Sequence, residues 1–530
     1  MPLVAFGVFI NQELKMPLDE QSRFYATIFL PWSFKPIFAC IMDTFKLCGT
    51  HRKAYIVIAN ICLGLSIIGT SLLVETTFEM YCFSLVRSGL EALSESGLGL
   101  ILIDVVGASR MIDSNDANVA QSQATAARMT GSLVSFIFGL FIYGCGRNET
   151  SSSRTIIGLS SILCIFSASS ALFLPNTHTP KSEVAEGIRE PTLQSHEQIK
   201  EEPLTWCQRV KVALGIACFQ FCFVWIGVQS LVPLVPWIVI LILCSGGILS
   251  FFCYQVVKSN LPWTPVACAV LLFMLNASPS YESPWFSFQL HSLRDSMCSM
   301  QILLMVGEMA SLLGCWSFPR LTNWYLSSRN DLDKKKRAEH ALVFFMLLAS
   351  LAGVLHIVLA LDWKEFSSMD DTMVLLQFGT IAFISSYFAQ LSFIAKQVFA
   401  TEHSYDNAQI GSLVSPGVLY GIFLSLVDFG DSASAWISSP LTKALNLSYA
   451  DMNYDLLWAM VLITAGCQIV FTVLVPPVLH LVEACFKQHK VGYMIPTEQL
   501  LQQPSSSSTL EENNTENIDV STVETPLSII

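Results

Sequence analysis

Apolar residues in this chain fall into long, nearly unbroken runs instead of alternating or one-faced patterns. Runs of spanning length cover residues 24–42, 54–74, 78–108, 119–145 and 155–174, then 210–230 and 233–257, then 263–278, 297–318, 340–361, 372–396, 409–427 and 455–486. Each approaches or exceeds the roughly 20 residues that carry an α-helix across a bilayer, so each predicts a transmembrane helix. The opening run, 1–10, is half that length. It reads as an incomplete first helix, or as one preceded by residues upstream of Met1. Counting it, the pattern is six helices, two helices, six helices. The polar stretch 175–209, rich in Glu, Ser, Thr and Pro, reads as a cytoplasmic loop. The segment after Lys490, with Ser505 to Ser508 and scattered Glu, reads as a disordered cytoplasmic tail. The expected organisation is a six-helix bundle over 1–174, the loop at 175–209, two extra helices within 210–262, a second six-helix bundle over 263–486, and the tail at 487–530.

Composition strengthens this reading. Across 530 residues, 52% are hydrophobic and 13% charged, against about 25% charged in an ordinary soluble chain. Two or three soluble domains of this size need charged surface that the chain does not have, so lipid is the solvent. The net charge of -12, without any basic stripe, argues against nucleic acid. The sixteen cysteines are scattered singly, with no pair or Cys/His cluster at zinc spacing, so neither a disulfide framework nor a metal site is expected. No cleavable signal peptide opens the chain, and no cofactor is implied.

An even number of helices places both termini on one side. Lys and Arg gather in one set of loops, with Arg52 and Lys53 in the first and Lys334 to Arg337 in a later one, which makes that side cytoplasmic. The sequons Asn148-Glu-Thr and Asn446-Leu-Ser then fall outside, as candidate glycosylation sites. Gly131-Ser-Leu-Val-Ser and Gly411-Ser-Leu-Val-Ser occupy equivalent places in the two six-helix sets, as parallel repeats would. Ala127, Gly131, Ser135 and Gly139, spaced by four, predict a face on which another helix approaches closely.

Charged residues within spans point to function, because each costs about 2.5–3.5 kcal/mol at a helix centre and faces a cavity or partner. Lys35 lies mid-span between Pro31 and Pro36, where carbonyls without donors or an anionic solute would receive its ammonium. Arg87, Glu91 and Glu95 follow at steps of four on one helix face, with Asp104 beyond. Two acids to one base leave a carboxylate over, which makes Glu91 and Glu95 candidates for proton coupling; a compensated ladder is the plainer reading. Arg128 is the best-placed permanent cation for a carboxylate. Glu308 is mid-span in the second set, and His356, in the next helix, reads as a packing residue. Asp43, Arg52 and Lys53 flank a turn that forms a candidate gate of salt bridges.

The segments Pro31-Trp-Ser-Phe-Lys-Pro, Asp43 and Gly49-Thr-His-Arg-Lys-Ala-Tyr, continued by Asp104-Val-Val, Gln121-Ser, Arg128 with Gly131, and Ala277-Ser-Pro-Ser, resemble the folate–biopterin transporters over nearly the whole chain. The resemblance implies an all-α major facilitator fold, two pseudo-symmetric six-helix bundles plus two intercalated helices, acting as a multi-pass transporter rather than an enzyme; a monomer is expected, although the sequence does not fix the oligomeric state. It implies folates or pteridines as the small-molecule substrate, with S-adenosylmethionine as a substrate of some members. Lys35, Arg87, Glu91, Asp104, Arg128 and Glu308 are the expected substrate contacts, and protons a candidate coupling partner. The chain departs from the family at Gly107 and Ala108, where a second carboxylate is usual, and at Ile37-Phe-Ala-Cys after Lys35-Pro. Another facilitator solute, such as an organic ion, or a non-transporting nutrient sensor are the alternatives.

Overall fold

A computed structural model describes residues 3–45, 47–48, 50, 52–109, 116–142, 153–174, 263–294, 296–326, 334–361, 364, 366, 369–410, 416–448 and 451–493. Residues Met1–Glu483 form one compact unit and Ala484–Ile530 a second. The regular structure of the described residues is helical, with two isolated β-bridges, Leu47 with Thr50 and Ser448 with Asn453. The loop expected at 175–209, the extra helices expected within 210–262, Asn148 and the repeat at 411–415 lie outside the described residues.

The first half begins with α1 (Leu3–Val8), which runs into a π-helical turn at Phe9–Glu13. The next crossing is broken in the middle. It runs as α2 (Leu18–Ile28), a 3-10 turn at Leu30–Phe34 and α3 (Lys35–Thr44). The cause is local: Pro31 and Pro36 cannot donate to the helical ladder, and the chain tightens between them. The helices α4 (Lys53–Leu73), α5 (Thr77–Ser109), α6 (Asp116–Ile142) and α7 (Ser153–Ala171) complete this half.

The second half also opens on a broken crossing, α8 (Trp263–Asn276) and α9 (Glu282–Ser292), separated by a segment containing Pro279. Then come α10 (Met297–Leu326), α11 (Lys334–Val354) with its short continuation α12 (His356–Leu361), α13 (Asp371–Ile410), α14 (Pro416–Ala444) and α15 (Leu457–Tyr493). Seven stretches among the described residues are long and apolar enough to cross a membrane. The two broken crossings, α2–α3 and α8–α9, are not among them, nor are α5, which carries Arg87, Glu91 and Glu95, and α14, which carries Asp428.

The two halves meet along two seams, α6 against α10 and α2–α3 against α14. On α6 the contact residues are Ser122, whose hydroxyl donates to the Cys315 carbonyl, Phe136, whose carbonyl accepts from Gln301 Nε2 at 3.0 Å, and Gly139, packed against Gln301. The expected small-residue face is only partly used. Ala127 and Gly131 are exposed and nothing lies within 4 Å of a Cβ built at Gly131. A row of steps of four drifts around a 3.6-residue helix, by about 120° over twelve residues, so Gly139 faces the partner helix while Ala127 does not.

Packing is thickest at one end. There Phe6, Phe9 and Phe24 of the first half share a single buried cluster with Trp285, Phe288 and Tyr454 of the second. His356 belongs to this packing: its Nδ1 lies 3.0 Å from the Gly353 carbonyl and its ring stands edge-on to Trp285 at 4.5 Å. Seven described cysteines are free, but Cys298 is disulfide-bonded, contrary to the expectation of uniformly unpaired thiols.

Candidate functional site

Both proline breaks lie against α14. Lys35 is the first residue of α3, and the break turns its side chain inward, leaving it 5% exposed. Its ammonium is 2.8 Å from Asp428 Oδ2 on α14 and 3.5 Å from Glu95 Oε1 on α5. It also sits 4.5 Å over the Trp32 ring. Glu95 Oε1 in turn accepts from Arg128 Nη1 of α6 at 3.2 Å. The four residues form a continuous chain of opposite charges, Arg128, Glu95, Lys35, Asp428, three from the first half and one from the second. Each charge meets its opposite, which is how such groups persist within a bilayer.

The second break is fixed by the same helix. Gly430 lies so close to α8 that an added Cβ would stand 2.7 Å from the Phe273 carbonyl oxygen and from the Asn276 Cβ. Phe429 stacks on Phe273 at 5.3 Å, and Ser438 Oγ accepts from the Ser280 backbone N–H at 2.6 Å. Asn276, the last residue of α8, receives a hydrogen bond from Lys396 Nζ of α13 at 2.6 Å.

The expected site residues divide between these features. Lys35, Glu95 and Arg128 come together as described. Arg87 pairs with Glu91 one turn away, at 3.5 Å, and lies over the Phe6 ring at 4.9 Å, as the compensated ladder predicts. The carboxylate counted as left over is not unmatched, because Lys35 and Arg128 reach Glu95 from other helices. Glu308 of α10 is half-buried, and its Oε2 has no hydrogen-bond partner among the described residues. Asp104 and Asp43 lie on helices whose course is described, but their side chains fall outside the described residues. Arg52 Nη1 donates to the Leu100 carbonyl at 3.0 Å, and Lys53 begins α4. Asn446 is exposed in a left-handed turn just after α14.

Two residues of the site escape sequence reasoning: Asp428 and Lys396. The apolar run that announces α14 ends at Val427, one residue short of Asp428, yet the helix continues to Ala444. Lys396 ends its apolar run in the same way, whereas α13 continues to Ile410. A hydropathy boundary stops at a charge; a helix with a partner for that charge does not. Among the described residues no group of three or more His, Cys, Asp or Glu is arranged to hold a metal ion.

Two bundles meeting at discontinuous helices, with charge at the breaks, is a transporter's architecture. The fold is similar to solved structures of the nucleoside transporter NupG. A point mutant matches with a TM-score of 0.51 at 14% identity, covering 90% of this chain and 94% of that one. A second NupG structure matches with a TM-score of 0.45 at 13% identity, covering 92% and 94%. No curated protein sequence matches significantly. The fold is that of the major facilitator transporters, and the protein is a multi-pass membrane transporter rather than an enzyme. The sequence matches the BT1 family over residues 1–491, and the chain belongs to that family.

Proposed function

We propose that this chain moves a folate- or pterin-type solute across a membrane by alternating access of its two bundles. The observation that carries the reading is the charge chain from Arg128 to Asp428, which crosses between the halves where two discontinuous helices meet α14. BT1 members include folate–biopterin transporters and others. A pterin presents a donor edge of amino and ring N–H groups that a carboxylate accepts, and folate adds carboxylates.

In this reading Arg128, whose side chain is 50% exposed, grips a solute carboxylate. Glu308 and Glu91 accept from the amino edge, and Asp104 and Arg87 extend the polar wall. Lys35 takes a different role from the anion receptor expected from sequence. Closed in by two carboxylates, it bridges the bundles, and rocking requires its bond to Asp428 to break. That same neutralisation favours a second reading, a solute bearing its own positive charge, such as S-adenosylmethionine. Both termini are assigned to the cytoplasm.

The test is uptake of radiolabelled folate, biopterin and S-adenosylmethionine by cells expressing the chain. Saturable uptake of folate or biopterin supports the first reading. Uptake of S-adenosylmethionine alone replaces it with the second, and uptake of none, with the protein at the surface, sinks both.

A further inference from the structure

The end of the bundle that the aromatic cluster closes carries a groove of about 400 Å³ between the last turn of α12 and the first turns of α13. Its floor is Leu359 and Phe366, buried members of the cluster that joins Phe6, Phe9 and Phe24 to Trp285 and Phe288. Its rim is Val358 and Leu376, both exposed. Each continues an exposed apolar stripe: Leu351 and Leu355 precede Val358 at helical spacing, and Met373 and Phe383 flank Leu376. Exposed apolar stripes on a membrane protein face lipid, so the groove opens toward the bilayer.

Its depth is set by the helix ends. One apolar span, Lys335–Leu361, stops at the groove and the next, Asp371–Ser404, starts there. An ion pair stands at that edge. Arg294, in a left-handed turn (φ 53°) just after α9, places Nη1 3.1 Å from Asp371 Oδ1. Its Nη2 donates to the carbonyl of Met369, a groove residue, at 3.3 Å. Both charged side chains remain more than half exposed, and two bonds do not exhaust the five donors of a guanidinium. Deeper in, about 9 Å along α13 from Asp371 at 1.5 Å per residue, the exposed Gln377 stands on the groove wall. The other polar wall residue, Thr380, donates its hydroxyl to the Leu376 carbonyl at 2.8 Å.

Water fits this space poorly, since each buried molecule needs about two to four polar partners and the walls are mostly apolar. We propose that the groove holds one acyl tail of a zwitterionic phospholipid, with its phosphate on Arg294, its ammonium group beside Asp371 and an ester carbonyl accepting from the Gln377 amide. The tail does not select the lipid. Bilayer tails are as apolar as the groove, so moving one inside gains packing contacts and no hydrophobic transfer energy. Selection comes from the polar edge: a cation and an anion side by side match a phosphate and an ammonium, whereas a purely anionic head group meets Asp371 and a sterol offers one hydroxyl. The tail rests on Leu359 and Phe366, so it braces the cluster that joins the halves, and a bound lipid favours the state closed at this end. The assignment rests on the membrane-spanning fold and is independent of which solute is moved.

The test uses purified full-length protein in nanodiscs that contain phosphatidylcholine with a photoactivatable diazirine in one tail. After irradiation and digestion, mass spectrometry locates the adducts. Labelling should concentrate on residues 358–361 and 373–381. Thr380→Trp, which fills the groove from an exposed position, should reduce that labelling about fivefold or more and leave adducts elsewhere within about twofold. Arg294→Gln should reduce it several-fold and Arg294→Lys less, because the lysine keeps the charge and loses the planar donors. The wild-type adduct map decides the matter even where a variant does not fold. Labelling spread evenly along the exposed stripes, Leu351 as heavily as Leu376, overturns the proposal by showing bulk lipid only. Stronger labelling of the groove by a diazirine sterol or by diazirine phosphatidylglycerol overturns the choice of occupant. So does photoleucine in place of Leu376 that crosslinks to another segment of the chain and not to lipid.

Discussion

Asp428 of α14 meets Lys35 of α3 at 2.8 Å, across the line where the two halves of the bundle join. The contact is between charges carried by separate halves, so it is strongest when the halves are docked and is lost when they separate at that level. Removing one partner leaves the other buried, with Glu95 at 3.5 Å as the remaining ion-pair partner of Lys35. Asp428→Ala should therefore lower stability by about 2 kcal/mol, and Lys35→Ala/Asp428→Ala should recover part of that loss, a coupling of about 1 kcal/mol or more. Thermal unfolding of the four proteins in one detergent closes the cycle. Strictly additive losses would show that the pair carries no energy of its own.

Two glycines make close approaches of different kinds. A methyl group at Gly430 would meet the backbone oxygen of Phe273 at 2.7 Å, and backbone at a helix break cannot step aside. At Gly139 the obstacle is the end of the Gln301 side chain, 2.4 Å from the added carbon, which can rotate. Gly430→Ala should cost about 1–3 kcal/mol and Gly139→Ala clearly less. Equal losses in a thermal-shift comparison would mean that α8 and α14 adjust more freely than their packing implies.

The fold was largely legible because lipid imposes long apolar runs, and these mark most crossings. The breaks were legible in part: Pro31 and Pro36 announce the first, and Pro279 the second. What sequence could not supply was pairing. Glu95 looks surplus on its own helix, where Arg87 belongs to Glu91, and finds its cations on α3 and α6. Asp428 and Lys396 sit at the edges of their apolar runs, where a charge reads as the start of a loop. Only the approach of α14 to both breaks shows them to be interior.

Arg128 is the most accessible cation of the charge chain, at 50% exposure, and Glu95 is its paired carboxylate. An ion pair so open to solvent contributes little to stability, so Arg128→Ala should leave folding and surface expression near wild type. If the exposed guanidinium receives a solute carboxylate, saturable uptake should fall by about tenfold or more, and Arg128→Lys should restore only part of it, since an ammonium lacks the two parallel donors. Full uptake in Arg128→Ala would remove it from the binding site.

Asn446 is exposed immediately beyond α14, in a sequon completed by Ser448. If both termini are cytoplasmic, as proposed, this turn faces the lumen or the exterior, where N-glycosylation occurs. Expressed in eukaryotic cells, the wild-type chain should gain electrophoretic mobility on glycosidase treatment, and Asn446→Gln should lose that part of the shift. A wild-type chain indifferent to the glycosidase would count against the assigned orientation.

Away from the large aromatic cluster the halves are joined more sparingly. Gln121 Nε2 of α6 donates to Thr401 Oγ1 at 3.0 Å and approaches the Tyr420 hydroxyl at 3.3 Å, and Thr125 Oγ1 donates to Gln397 Oε1 at 3.1 Å. These bonds link α6 to α13 and α14 with few buried apolar contacts from the first half, Ala126 among them. At the opposite end Phe6, Phe9 and Phe24 are locked against Trp285 and Phe288. Opening should therefore be easier at the Gln121 end. Replacing Gln121 by Ala removes its bonds and leaves two hydroxyls to rehydrate, a bias of about 1–2 kcal/mol toward the open state, or roughly a tenfold rise in its population. A cysteine placed at Ser122, buried between α6 and α10 at this level, reports the change: its alkylation by a membrane-impermeant maleimide in inside-out vesicles should quicken several-fold in the Gln121→Ala background. Equal rates in both backgrounds would show that these bonds do not hold that end closed.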